Sequence, residues 1–588
     1  MATVKLNPST DPKSDPIINC HTHVFTADHV PPWLGKTFLP LFLAYILTTP
    51  LIVVPARWWY RFGPRNWKHN YLYRLLRKWY YMAKILIDRI FILWLIVVAA
   101  GVILSIHVFF IIYDLLMRFF ETDKEGSIDK IRLWLRDYHL LYPTEKVWLD
   151  ALFVLVLMLF FPSGRNIIFL ILKHLFKFLA ALPDQTTRSY LARYWSIGRF
   201  AFYIRQRDIF RRLYDQYPEG TKFVILPMDM EYMGAGSPPE NYINQLNKLA
   251  VIKRNHKGKA YPFVFVDPRR IADPGQKDFF KYSIGDDGTL SLEECVIRTF
   301  IEDKEFSGFK IYPALGYFPF DAHLLPLWVY AAQKNLPILT HCIRGTIFYR
   351  GIKESSWDYH PVFEQVMKEK TYDSLLLPEI KNADFSNNFT HPLNYLCLVE
   401  DSLLQKLLLR EEYRTVRPVF YDSKGNFRNS LKDLKICLAH FGGEDEWQKY
   451  FELDRDEHSA QLAKHPDVGI NFFELADGSG QSRGKIEQIW KRTDWYSIIC
   501  SMILQKNNIY ADISYIIHDD EIVPLLQQTI KNPKLRTKVL FGTDFYVVRN
   551  HKSEREILAE IMGRLSKDDF DQIARTNPKE FLKNVWTD

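Results

Sequence analysis

The sequence predicts an α/β chain, a (β/α)8 barrel interrupted after its first strand by an α-helical membrane insert. Three observations predict it. Short apolar, β-rich runs recur from end to end, separated by helix-capable stretches. Several of them end in His, Lys or Asp, and barrel strands carry their functional residues at their C-terminal ends. Long apolar runs, by contrast, crowd only into residues 37–182. With 588 residues, 24% charged and 15% aromatic, the chain has ample core material, and a disordered or collagen-like polymer is excluded.

The first strand is Pro16-Ile-Ile-Asn-Cys-His-Thr-His23. Alternate residues of a strand share a face, so His21 and His23 are expected on one side, with Cys20 and Thr22 on the other. Two imidazoles at a strand end can chelate a metal, although an isolated HxH is a weak signal. Strands two and three are read at 222–227 (KFVILP) and 261–267 (YPFVFVD). The fourth, 308–313, carries Lys310 in apolar surroundings. The fifth and sixth end in His341 and His440. The seventh is 508–514 (NIYADIS), and the eighth, 538–544 (KVLFGTD), ends in Asp544. HxH, Lys, His, His and Asp in barrel order are far more specific together than any one of them.

The matching pieces NCHTH at 19–23, THC around His341, LAHFGG at 438–443 and LFGTDF at 540–545 make the chain resemble the amidohydrolase superfamily of metal-dependent hydrolases. It looks closest to the amidohydrolase 2 branch, which also contains decarboxylases. The resemblance covers residues 16–35 and about 215–588. It implies that His21, His23, His341 and Asp544 bind metal, and that His440 is a second-site ligand or a catalytic acid/base. Lys310, if carbamylated, would bridge two ions, whereas branches with one metal carry a strand-four lysine that does not bridge. The implied cofactor is a divalent metal, Zn2+ first, as one or two ions. The implied chemistry is hydrolysis of an amide, ester or lactone, with Asp544 as general base and His440 stabilising the oxyanion or relaying the proton. The alternatives are decarboxylation in the same pocket and a non-catalytic membrane scaffold with a structural metal site. Arg344, three residues past His341, is a candidate for holding a substrate carboxylate or phosphate, and a surface ion pair is the competing reading. Cys342 should point away from the lumen.

Three regions follow: 1–35 with the first strand, a helical membrane insert at 36–213, and the rest of the barrel at 214–588, with 345–433 as a lid or rim. Residues 90–113 are apolar except for Ser105 and His107. As a helix they would reach about 36 Å, enough for a hydrocarbon core of about 30 Å. The segment 147–182 is broken by Pro162-Ser-Gly-Arg165, and 37–55 contains Pro40 and Pro50, so either could be re-entrant or interfacial. Residues 56–89 hold nine Lys and Arg against one acid, 173–213 nine against two, and 114–146 six against seven. The basic stretches therefore mark the cytoplasmic side. Strands one and two pair in one sheet, so an even number of crossings is expected and the barrel is cytoplasmic. An insert leaving the first βα loop would hold the active-site mouth near lipid, favouring an amphipathic or lipid-linked substrate. The net charge of +8 thus resides in membrane-facing collars, and no nucleic-acid partner is expected. The polar first fifteen residues are no secretory signal. Six cysteines without a CxxC pair suit a reducing compartment.

Overall fold

A computed structural model describes residues 15–31, 71–119, 127–138, 205–345, 347–367, 371–377, 382–451, 460–472 and 485–584, with isolated positions between 148 and 170 and at 458. They fall into two compact units, one within 1–57 and 192–588, the other within 58–191.

The first unit is the barrel. Its strands are β1 (Ile18–Thr22), β2 (Lys222–Ile225), β3 (Ala260–Pro262, resuming at Val264–Phe265), β4 (Phe309–Ile311), β5 (Ile338–Ile343), β6 (Ile436–Gly442), β7 (Ile509–Asp512) and β8 (Val539–Leu540). Neighbours pair in parallel from β1 through β8, with β3 passing between two sheets at Phe263. Closure comes from β8 against β1. The Cys20 amide donates to the Phe541 carbonyl at 2.9 Å, and the Asp544 amide donates to the His21 carbonyl at 2.9 Å. Ile18, Cys20, Val224, Leu226, Phe263, Leu339, Cys437, Ala439, Tyr510 and Leu540 pack as one cluster. Residues from seven strands can meet only inside the barrel, so this is its filled lumen. Phe581 and Leu582 of the helix Asn577–Leu582 join the same cluster. Hydrogen bonds from the Lys435 ammonium to the carbonyls of Glu580 and Lys583 tie that helix to the N-terminal end of β6.

The strict alternation expected along the first strand does not hold. Cys20 faces the lumen with Ile18 instead of opposing the histidines. The β1–β2 register shifts between Asn19 and Thr22. Such a bulge breaks strict alternation and re-aims the residues beyond it, so His21 and His23 turn over the barrel's mouth.

The excursion between β5 and β6 holds helices Asn382–Thr390 and Asp401–Leu408, and also an antiparallel hairpin, Tyr359–Val366 with Tyr372–Leu376. All six cysteines are buried thiols without disulfides. Cys342 donates to the Thr390 carbonyl at 3.5 Å, outside the lumen cluster.

The second unit contains helices Tyr71–Arg89, Phe91–Phe119 and Ser127–Asp137. Within the second of these, Phe91–Tyr113 is long and apolar enough to cross a membrane by length and composition. It is the single such helix among the described residues. The segment 37–55 lies outside the described residues, and 147–182 does so apart from scattered positions.

Candidate metal centre

β1 delivers His21, the residue just past its end is His23, and the turn after β8 delivers Asp544. Asp544 has φ of +60°, a left-handed conformation that Asp and Asn tolerate better than most residues. Gly542 lets the two strands approach, because a Cβ there would lie 2.9 Å from the His21 Cβ.

The tautomers follow from the partners. His23 Nδ1 faces the Leu226 carbonyl at 2.9 Å. A carbonyl only accepts, so that nitrogen carries the proton, and in the neutral ring Nε2 is bare. His21 Nδ1 donates likewise to Asp512 Oδ2 at 3.0 Å. Burial, helped by Lys310 and His23, drives the His21 pKa well below its ordinary value, so the ring is neutral and its Nε2 is also bare. The two bare nitrogens nevertheless lie 3.2 Å apart. Asp544 Oδ1 is 3.2 Å from the His23 nitrogen and 3.7 Å from that of His21. Three buried lone pairs converging without a proton between them repel one another. Donor atoms held at about 2.0–2.2 Å from one ion sit roughly 3.0–3.7 Å apart. The set therefore fits a divalent cation, held by His21, His23 and Asp544.

A second convergence, His21, His440 and Asp512, is a support for the first. The Ser514 hydroxyl lies among them, 3.0 Å from Nδ1 of His21 and 3.0 Å from Nδ1 of His440. It donates to Asp512 Oδ1, which also accepts the amides of His440 and Ser514 at 3.0 Å each. A carboxylate behind a ligating imidazole fixes its tautomer and orientation.

His440 Nδ1 also faces the Ser514 carbonyl at 3.1 Å, so its Nε2 is bare as well and points at His341 Nδ1, 3.1 Å away. His341 therefore faces His440 more closely than it faces the triad. Its Nε2 is buried without a hydrogen-bond partner among the described residues, and its ring packs on Tyr312 with centroids 3.8 Å apart. Burial lowers the His440 pKa to about 4. Lys310, on β4 in register with Leu339 of the lumen, is buried. Burial brings its ammonium down to about 8, against the pull of Asp512 and Asp544. Arg344 is not in this group. It pairs with Glu446 at 3.3 Å and lies over the Trp495 ring.

Sequence reasoning missed Asp512, Ser514, the Leu226 carbonyl and Tyr312. The one available signal was the polar pair inside NIYADIS, at the end of a strand whose neighbours end in histidine and aspartate.

No protein-family model matches the chain, and no curated relative matches it. Solved structures do. They include an uncharacterized TIM-barrel protein from Bordetella bronchiseptica, at 10% identity and TM-score 0.33 over 67% of this chain and 91% of that one. A dihydroxybenzoic acid decarboxylase from Polaromonas sp. JS666, solved with manganese, matches at 14% identity and TM-score 0.32, covering 64% and 85%. A 4-oxalomesaconate hydratase from Rhodopseudomonas palustris matches at 12% and 0.28, covering 63% and 79%. At TM-scores below 0.5 the likeness decides nothing, and the site is read from its own geometry.

Proposed function

We propose that the chain is a metal-dependent hydrolase that cleaves an amide, ester or lactone. The observation that carries this is the convergence of the bare Nε2 atoms of His21 and His23 with the Asp544 carboxylate. Two imidazoles and one carboxylate suit Zn2+ with an open position for water and substrate. When bound, the cation lowers the pKa of water to about 7 and polarises a carbonyl. Asp544, with an oxygen in the ligand set, takes the proton that water loses and passes it to the leaving group. His21 and His23 cannot serve as acids, because their Nδ1 protons are committed to Asp512 and Leu226.

His341 and His440 support a second cation position, since a bare His440 Nε2 faces His341 Nδ1. Lys310, with a pKa near 8, is partly neutral at physiological pH, the form that takes up carbon dioxide to give a carbamate. Elemental analysis of the purified full chain is the test. One equivalent of metal supports the His21–His23–Asp544 site alone. Two equivalents, with a carbon dioxide adduct on Lys310, support the paired site. No metal would overturn the reading. Release of carbon dioxide from substrate, without uptake of water, would place the reaction with decarboxylation instead.

The same proposal places the protein in a membrane, with its barrel cytoplasmic and an amphipathic or lipid-linked substrate. Phe91–Tyr113 supports a crossing. On the preceding helix, Tyr71–Arg89, the exposed Leu75, Trp79, Met82 and Leu86 recur at i, i+4, i+7 and i+11, while Lys84 lies off that stripe. This is the pattern of a helix lying in the headgroup layer. The chain is expected to stay with the membrane pellet through alkaline carbonate extraction. Recovery of a monodisperse enzyme without detergent would overturn the anchoring.

A further inference from the structure

Beneath the metal ligands, at the β1–β8 seam, lies a buried polar network that the proposed chemistry does not use. Glu554 opens the helix Glu554–Arg564 and is fully buried. Its Oε2 accepts the Tyr217 hydroxyl at 2.7 Å and the Thr543 hydroxyl at 2.9 Å. Its Oε1 is buried with no hydrogen-bond partner among the described residues. Asn19 completes the ring. Its amide nitrogen donates to the Tyr217 oxygen at 3.0 Å and to Thr543 Oγ1 at 2.8 Å. Its side-chain oxygen accepts the backbone amides of His21 at 3.2 Å and Thr543 at 3.3 Å.

Two members, Asn19 and Thr543, thus hold the chain beside a metal ligand, and Tyr217 and Glu554 tie those two together. Asn19 lies two residues before His21 and bonds its amide, while Thr543 directly precedes Asp544. The two strands meet where the Asp544 amide donates to the His21 carbonyl. A purely structural carboxylate at a helix start would face solvent or a cation, and its own helix already has the Ser553–Glu556 capping box. Burying a carboxylate with one oxygen unpaired is costly. Burial raises the Glu554 pKa to about 7, while its bonds from Tyr217 and Thr543 hold it down. Such a cost persists where the group fixes something else in place.

We propose that Glu554 is a positioning residue of the metal centre, acting through Thr543 on Asp544 and through Tyr217 and Asn19 on His21. The inference rests on the metal-centre reading above. Its test is Mn2+ titration of the chelator-stripped full chain, with thermal unfolding of the metal-free protein as a parallel measurement. Glu554→Ala is expected to weaken Mn2+ binding by about tenfold, the low end of the range for groups that bond a metal ligand directly. Glu554→Gln retains an oxygen that accepts both hydroxyls and is expected to restore affinity to within about threefold of the parent. If Glu554→Ala fails to fold, Tyr217→Phe and Thr543→Val each remove one donor and are expected to weaken Mn2+ binding in the same direction. Unchanged Mn2+ affinity in these variants, with only a lower unfolding temperature, would overturn the positioning role and leave the metal centre standing. Absence of Mn2+ binding by the unmodified chain would overturn both.

Discussion

Asp544→Asn is expected to abolish metal retention and turnover while the metal-free barrel keeps its stability. Asn is the conservative choice because Asp544 sits at φ of +60°, where Asn is nearly as comfortable as Asp and where Ala would add strain of about 1–2 kcal/mol. The substitution removes the ligand's charge without removing its shape. In the metal-free protein it also relieves a carboxylate oxygen held 3.2 Å from the bare His23 nitrogen. Stability without metal should therefore stay level or rise slightly. With metal the sign reverses. A ligand present at 100 times its Kd stabilises the native state by about 2.7 kcal/mol, so the parent's unfolding temperature climbs on adding Mn2+ or Zn2+ and the variant's does not. Turnover should fall by about a thousandfold or more, since the same residue is ligand and base. A scaffold with a purely structural metal would show the same metal-dependent stabilisation and its loss in the variant, but would have no turnover to lose. Turnover assays of parent and variant, run beside scanning measurements with and without metal, separate the two.

The ligands that could be read from sequence were those fixed by local rules. HxH at the end of β1 and single His, Lys or Asp residues at the ends of later strands need only strand periodicity and the barrel's polarity to be placed. What could not be read depended on long-range register. Asp512 reaches His21 because β7 pairs with β8 at Asp512–Leu540, and β8 in turn closes on β1. No local pattern in NIYADIS announces this. Cys20 was misplaced because alternation assumes an unbulged strand, and the shift between Asn19 and Thr22 depends on β2, some two hundred residues away. Arg344 lay near His341 in sequence, but Glu446, on the helix that follows β6, captures its guanidinium. Glu554 was invisible for a related reason. In sequence it reads as an acidic residue opening a helix, and only the fold buries it against Tyr217 and Thr543. The ligands are a property of strands, whereas the groups that aim them are a property of barrel closure.

Asp512 makes that dependence measurable, because replacing it with Ala or with Asn should damage different things. Its two oxygens accept the His21 ring N–H, the amides of His440 and Ser514, and the Ser514 hydroxyl, all in a fully buried position. Asp512→Ala removes the acceptor of the two amides and the Ser514 hydroxyl, and leaves the His21 N–H only the Ser514 oxygen 3.0 Å away. At about 1–3 kcal/mol for each buried donor, partly offset by relaxation, the metal-free protein is expected to lose about 3–5 kcal/mol. That is a large part of an ordinary domain's stability. Asp512→Asn should cost far less, about 1–2 kcal/mol, because one amide oxygen can still take the two backbone N–H groups that Oδ1 receives. The NH2 then faces His21 Nδ1. A donor there forces the His21 proton onto Nε2, into the space shared with His23 and Asp544. Mn2+ affinity should accordingly fall by about 10- to 100-fold in a protein that unfolds at nearly the parent's urea concentration. The opposite orientation, with the NH2 against the His440 and Ser514 amides, would preserve the His21 tautomer at the expense of two facing donors. It predicts the reverse pattern, intact metal binding with a stability loss close to that of Asp512→Ala. Urea unfolding of the metal-free variants, paired with Mn2+ titration, distinguishes these outcomes. Asp512→Asn with both affinity and stability unchanged would show that the His21 tautomer is not set by Asp512.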